Sequence, residues 1–303
     1  MPTGEQVSFC AHAAMGAALQ LAPSSSERKT QQSVSIPFST QAHADDAADA
    51  STRYQAIAHE HDIVSLDMTD VVYTETALDH PPVLQRILRD CFGLESSDLT
   101  VNNNDPSAAV TTFRNCSVAR PKTLVYVNSL QALHAAKPPT AAAAFATSCD
   151  AIASTGLYLY SSSSSNSSST DTGTDRANDD AGASYECRQF PRASGYPEDP
   201  ATGIAAAALA VSLHQKQLQR GNNARPAPPT AYKFYQGTAM GHPSLIMVEN
   251  LRFHNNRNSN SNNDAVKKDT MVSFRLLGRV EVDERETLSV DQDDDSDETR
   301  KNM

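Results

Sequence analysis

Apolar and polar residues alternate along this chain in many short runs and recur at helical spacing in a few longer ones. Short strands are predicted at "SVSIPF", "DIVSLDM", "TLVYV", "LYLYS", "YECRQFP", "AYKFYQG", "SLIMVENLRF", "MVSFRLL" and "RVEVD", and "VSFC" reads as a strand end. Between Asp79 and Leu94, the apolar residues Val83, Leu84, Ile87, Leu88 and Cys91 share one helical face. Asp79 reads as the cap of that helix, proline fills its first turn, and Gly93 reads as its stop. A short helix is predicted from Asn128, and "FATSCDAIASTG" reads as a helix closed by Gly156. Strands without regular helical crossovers fit an α+β fold, not a doubly wound parallel sheet.

Two further helices, "AHAAMGAALQLA" and "DPATGIAAAALAVSL", are apolar nearly all the way round. A helix without a polar face must be enclosed on every side, and small side chains let strands approach it closely. The chain is therefore expected to form two barrel-like halves, each a sheet wrapped round a buried central helix. Both helices follow a strand and a short polar motif, which points to an ancient duplication. The halves are expected at residues 1–117 and 118–290. Polar segments at 43–62, 161–182 and 255–266 read as loops, and the acidic stretch 291–303 as a solvated tail.

The most polar short motif, "EDPATG", stands at the entrance of the second apolar helix. A helix N-terminus carries unpaired N–H groups and the positive end of the macrodipole. Asp199 reads as the helix cap and Pro200 as its first residue; Thr202 and Gly203 leave backbone donors open to a carboxylate or developing oxyanion. Asp199 is thus either only a cap or a general acid or base. At the entrance of the first helix, His12 is either structural or a proton shuttle. Cys10 is either a small buried residue or a low-pKa thiol.

Composition narrows the classes. The chain has 303 residues, enough for two domains, but only 39% are hydrophobic, so part of it is expected not to pack. A net charge of -11 argues against binding a phosphate backbone, so no nucleic-acid partner is expected. The five cysteines are odd in number and never spaced C-x-x-C, which fits reduced thiols in a cytoplasmic protein. No apolar run is long enough to span a membrane, and the N-terminus lacks the pattern of a signal peptide. His59 and His61 have no partner cluster, so no metal is expected; no G-x-G-x-x-G or phosphate-loop signature occurs, and "SSSSS" has no companion His/Asp pattern.

Three segments, in order, resemble one family. "EQVSFCAHAAMGAA" resembles its strand-G-H-A-T-x-G-A-A segment, "RQFPRASGYPEDPATGIAAAALA" its R-x-F-x-P…E-D-P-A-T-G-S-A segment, and "YQGTAMGHPSLIMV" its Q-G-x-x-M-G-R-P-S segment. The family is the phenazine biosynthesis PhzF-like isomerases, related to diaminopimelate epimerase. The resemblance implies two similar halves with the active site in the cleft between them, no cofactor, and a homodimer. It implies isomerisation of a small carboxylate-bearing metabolite by proton transfer, as with a dihydro-hydroxyanthranilate. Carried over by position, His12 and Asp199 match the family's active-site residues. Ala11, Thr202, Gly203, Ile204 and Ala205 match the substrate-holding backbone, and Cys10 stands where related epimerases carry a thiol.

This chain departs from the pattern at Ala11 (family Gly), Ile204 (family Ser) and His242 (family Arg). Ile204 points to a more apolar ligand. The family's early S-E-T-like motif, with its main acid/base Glu, has no counterpart ahead of Glu5. The first half is accordingly expected to lack its initial strands. The alternative function is a catalytically inactive or truncated relative that keeps only ligand-binding or dimerisation surfaces.

Overall fold

The computed structural model describes residues 14–16, 18, 35–39, 53–59, 63–78, 81–99, 113–163, 183–219, 228–254 and 270–279. In chain order the elements are β1 (Ser35–Ser39), β2 (Arg53–Ala58), β3 (Ile63–Ala77), α1 (Pro81–Phe92), α2 (Ser96–Leu99), β4 (Arg114–Ser117), β5 (Lys122–Tyr126), α3 (Leu130–Ala135), α4 (Ala142–Ala151), β6 (Gly156–Ser162), β7 (Ala183–Pro191), α5 (Gly203–Gln219), β8 (Ala231–Gln236), β9 (Ser244–His254) and β10 (Thr270–Arg279).

The strands form one sheet in the order β1-β2-β3-β10-β9-β8-β7-β6-β5-β4, and a further β3–β4 pairing closes the eight strands β3 to β10 into a barrel. Closure depends on β3 changing neighbours along its length. Its first part pairs with β2 through Val64–Asp67, while its last part pairs with β4 through Thr74–Ala77. Between them Asp70 takes φ 53°, and the ladder to β10 shifts register between Val272 and Phe274. Such a bulge bends a strand and increases its twist.

Helix α5 runs inside the barrel. Every residue from Ala205 to Val211 is fully buried, as its all-round apolar pattern requires. The inward faces of the strands supply Leu66, Met68, Leu124, Tyr158, Phe234, Val248 and Leu276 to the same core. A second core lies outside the barrel, where Leu84, Leu88 and Phe92 of α1 meet Phe145, Val125, Leu159 and Phe190. Strands β5, β6 and β7 are therefore buried on both faces. β1, β2 and the first part of β3 extend the sheet beyond the barrel. Met15 and Ala18, from the helical residues 14–16 and 18, are buried in the same cluster as the barrel interior.

The structure corrects several expectations. Arg53–Ala58, read as part of a loop at 43–62, is strand β2, with Ala56 and Ala58 buried. Ser161 and Ser162, assigned to the polar segment 161–182, are the last residues of β6. Gly156 does not close the preceding helix: α4 ends at Ala151, and Gly156 begins β6. β4 and the second half of β3 had no predicted counterpart. β3 and β4 both precede residue 118, so strands on either side of the expected 117/118 division build the closed barrel. Segments 164–182 and 255–269 and the tail 291–303 lie outside the described residues. Among the described residues, no helix is long and apolar enough to cross a membrane.

Candidate functional site

The entrance of α5 is built by the segment Glu198–Gly203, and its geometry differs from the expected cap. The helix begins at Gly203, and Thr202 occupies the cap position, its carbonyl accepting from Ala206 N at 3.1 Å. Asp199 therefore stands outside the helix, and Pro200 is not its first residue. The Asp199 carboxylate instead closes a turn: Ala201 N donates to Oδ1 at 3.2 Å and the Thr202 hydroxyl donates to Oδ2 at 2.6 Å. This is the local bonding that Asp offers a turn two residues ahead. Among the described residues, no acceptor takes the N–H groups of Gly203, Ile204 or Ala205. An anion-attracting helix end thus lies beside a half-buried carboxylate.

The segment is held from both sides by strand residues. On β7, Gln189 O accepts from Asp199 N at 2.9 Å. On β8, Gln236 Nε2 donates to Asp199 O at 2.6 Å, while its Oε1 accepts from Thr202 N at 3.3 Å and from the Tyr158 hydroxyl at 3.2 Å. Burial drives the Tyr158 phenol well above its ordinary range, so it remains a neutral donor. Ser244 Oγ, on β9, donates to Pro200 O at 2.7 Å. The turn between β8 and β9 opens with Gly237 at φ 84°, and a Cβ there would stand 2.2 Å from His242 O and 2.9 Å from Pro200 O. Only glycine lets this turn close over Pro200.

Arg188 and Glu198 anchor the base of the segment. The Arg188 guanidinium meets the Glu198 carboxylate in two bonds, at 2.8 and 2.6 Å, with both side chains buried. Its remaining nitrogen donates to the carbonyls of Leu133, His134 and Ala136 at the C-terminal end of α3. Such an end favours a cation. The first part of the family-like segment thus fixes the second, because Glu198 immediately precedes Asp199.

Of the residues singled out from sequence, Asp199, Thr202, Gly203, Ile204 and Ala205 come together at this entrance. Cys10, Ala11 and His12 lie outside the described residues. Met15 lies toward the same end of the barrel: a Cβ on Gly278 would lie 3.7 Å from its Sδ, and Gly278 pairs with Ile246 near the start of β9. Sequence reasoning missed Gln236, Ser244, Arg188 and Glu198 as supports, although all four lie within the quoted motifs. It also missed Gln189, whose carbonyl holds Asp199. Among the described residues, no three His, Cys, Asp or Glu side chains converge as a metal site.

Fold and entrance together define an α+β protein whose closed eight-stranded barrel encloses a helix with an open, polar N-terminal mouth. The family model described as phenazine biosynthesis-like protein, PhzC-PhzF, matches residues 2–267, and the chain belongs to this family. Among solved structures, it is similar to a PhzF-family phenazine biosynthesis protein from Bacillus anthracis at 15% identity, covering 91% of this chain and 75% of that one with a TM-score of 0.57. It is also similar to a predicted epimerase from Pseudomonas aeruginosa at 19% identity, covering 91% of this chain and 72% of that one with a TM-score of 0.51. These likenesses support the fold. Comparison with curated proteins finds no match.

Proposed function

We propose that this chain is an isomerase that binds a small carboxylate-bearing metabolite at the mouth of α5 and moves a proton within it. Family membership supports an isomerase or epimerase type of function. The observation that carries the reading here is the half-buried Asp199 carboxylate beside the free N–H groups of Gly203, Ile204 and Ala205. Asp199 holds a substrate amine or relays the proton. The helix end stabilises the negative charge that develops on the substrate as the proton leaves, the role that preorganised backbone donors fill in other proton transfers. Thr202 orients the carboxylate, and Ile204 gives the mouth an apolar wall. In this reading His12 orients the substrate, Ala11 belongs to the substrate-holding backbone, and Cys10 stands where related epimerases carry a thiol. The chain works in the cytoplasm as a homodimer and needs no cofactor.

The alternative, a relative that holds ligand without turnover, is supported by a different feature. Both carboxylate oxygens of Asp199 are already engaged, one by Ala201 and one by Thr202. Incubation with a dihydro-hydroxyanthranilate in deuterated water, followed by proton NMR, separates the two. Turnover places deuterium on a ring carbon, and Asp199→Asn slows this by about 10²–10⁴-fold. Binding without deuterium incorporation establishes the alternative. Unchanged turnover in Asp199→Asn removes Asp199 from the chemistry.

A further inference from the structure

Three oxygen atoms on the outer face of the barrel, Ser161 Oγ, Ser163 Oγ and Glu186 Oε1, are buried without a hydrogen-bond partner. The strands bring them together. On β6, Leu157 and Leu159 face the outer core, so alternation turns Ser161 to the same side, and Ser163 follows just past the strand end. On β7, Phe190 faces the outer core and Arg188 reaches α3, so Glu186 faces outward too. Ser161 stands directly opposite Glu186 in the antiparallel ladder, which makes Ser163 a diagonal neighbour of Glu186. Opposed side chains of this kind start about 5 Å apart at Cβ. The last turn of α3 borders the same patch, and its His134 Nε2 stands 3.6 Å from Glu186 Oε1.

Protein groups alone do not satisfy these atoms. A serine hydroxyl readily donates to a carboxylate, yet neither serine does so here. His134 is beyond hydrogen-bond reach of the carboxylate oxygen. Arg188, two residues along β7, is already taken by Glu198 and the carbonyls of α3. Ser161 is 0% exposed and the Glu186 side chain only 14%. Burying a carboxylate oxygen without a donor is costly, and an ion or ordered water commonly lies between such groups. A cation satisfies all of them at once, because it takes lone pairs and needs no donor. Two ligands about 2.0–2.6 Å from one ion stand about 3–4 Å apart, so the 3.6 Å between Nε2 and Oε1 suits a shared ion. Oxygen ligands suit magnesium, calcium and manganese, while imidazole suits transition metals, so three oxygens with one nitrogen fit manganese(II).

We propose that Glu186, Ser161, Ser163 and His134 form a divalent-cation site of the manganese(II) class on the outside of the barrel. Only two of the four are His or acid; the serine hydroxyls supply neutral oxygens, and water fills the remaining positions. Glu186 brings the negative charge. His134, with its side chain 39% exposed, stands on the side from which the ion enters. The ion is structural and joins α3 to β6 and β7. His134 O also accepts from Arg188 at 3.2 Å, so fixing His134 steadies the helix end that holds the Arg188–Glu198 pair. The site is separate from the mouth of α5 and does not depend on the reading of that mouth.

Titration of the full chain with manganese(II) chloride, followed by loss of the free-ion EPR signal, tests the site. The acidic residues of 291–303 attract cations too, but they are the same in every variant, so the difference between proteins is what is read. One ion is expected to bind more tightly than the rest. Its affinity is expected to fall about tenfold or more in Glu186→Gln and in His134→Ala, at least the loss that follows removal of an outer-shell partner. Pulsed EPR of the bound ion should show coupling to one imidazole nitrogen, absent in His134→Ala. No tight ion, equal affinity in Glu186→Gln, or a nitrogen coupling that persists in His134→Ala overturns the site and leaves only an interior water between these oxygens. The spectrum of the unmodified protein needs no variant: a tightly bound ion without nitrogen coupling overturns the proposed ligand set even if a substitution prevents folding.

Discussion

A guanidinium buried as deeply as that of Arg188 is stable only because Glu198 and three helix-end carbonyls surround it. Removing one partner leaves the other charge buried and uncompensated, at a cost of about 3–5 kcal/mol. Arg188→Met should lower the stability read from urea unfolding by that order, and Glu198→Leu similarly. The double variant should lose clearly less than the sum of the two, since no charge remains unpaired. Strict additivity would show that the pair acts through packing alone. The single variants should also weaken ligand binding at the mouth, because Glu198 is bonded to Asp199 through the chain. At this scale, the sequence put Asp199, Thr202 and Gly203 at the entrance of α5, because a polar Pro-Ala-Thr-Gly step runs directly into an apolar helix. The contributions of Gln236 and Gln189 were illegible. Each depends on which face of a strand looks into the barrel, and that is set by register with strands distant in sequence.

Helix α5 shows why the central elements were more legible than their boundaries. A run such as Ala205–Ala208 has no solvent face, so enclosure follows from composition alone, and all four residues are fully buried. Packing of strands against alanine leaves no room for growth. Ala207→Leu should destabilise the protein by about 1–3 kcal/mol, the usual cost of overpacking. The same measurement on Leu218→Ala, at the exposed end of the helix, should stay within about 0.5 kcal/mol of the parent. An Ala207→Leu protein of unchanged melting temperature would mean that the barrel is not closed tightly round the helix. Boundaries were less secure because the same residue serves different ends. Gly93 stops α1 at φ 70°, its N–H donating to Arg89 O, as read from the sequence. Gly156 stands at φ 143° and opens a strand, five residues beyond the end of α4 at Ala151. β2 resembled a loop because its pattern is weak; it is a strand because β1 and β3 both pair with its backbone.

Closure of the barrel makes the whole molecule sensitive to alkali, because it buries weak acids that ionise freely in an unfolded chain. Burial pushes the Cys116 thiol up to about 11 and raises Cys187, Tyr158 and Tyr160 well above their ordinary range. In the unfolded chain these groups ionise from about pH 8.5 for thiols and about pH 10 for phenols. Over the window above pH 8.5 the folded state therefore binds more protons than the unfolded one, and stability falls as pH rises. Lys122 acts in the opposite sense. Its folded value of about 8 lies below the ordinary 10.5, so between those limits the unfolded state binds the extra proton and stability rises with pH. One lysine opposes several thiols and phenols, so the net slope is downward. The urea midpoint should hold steady near neutrality, then drop progressively between pH 9 and 11. In Lys122→Met the drop should be steeper, because the opposing group is gone; a midpoint that climbs across this window would mean that the barrel interior is open to water.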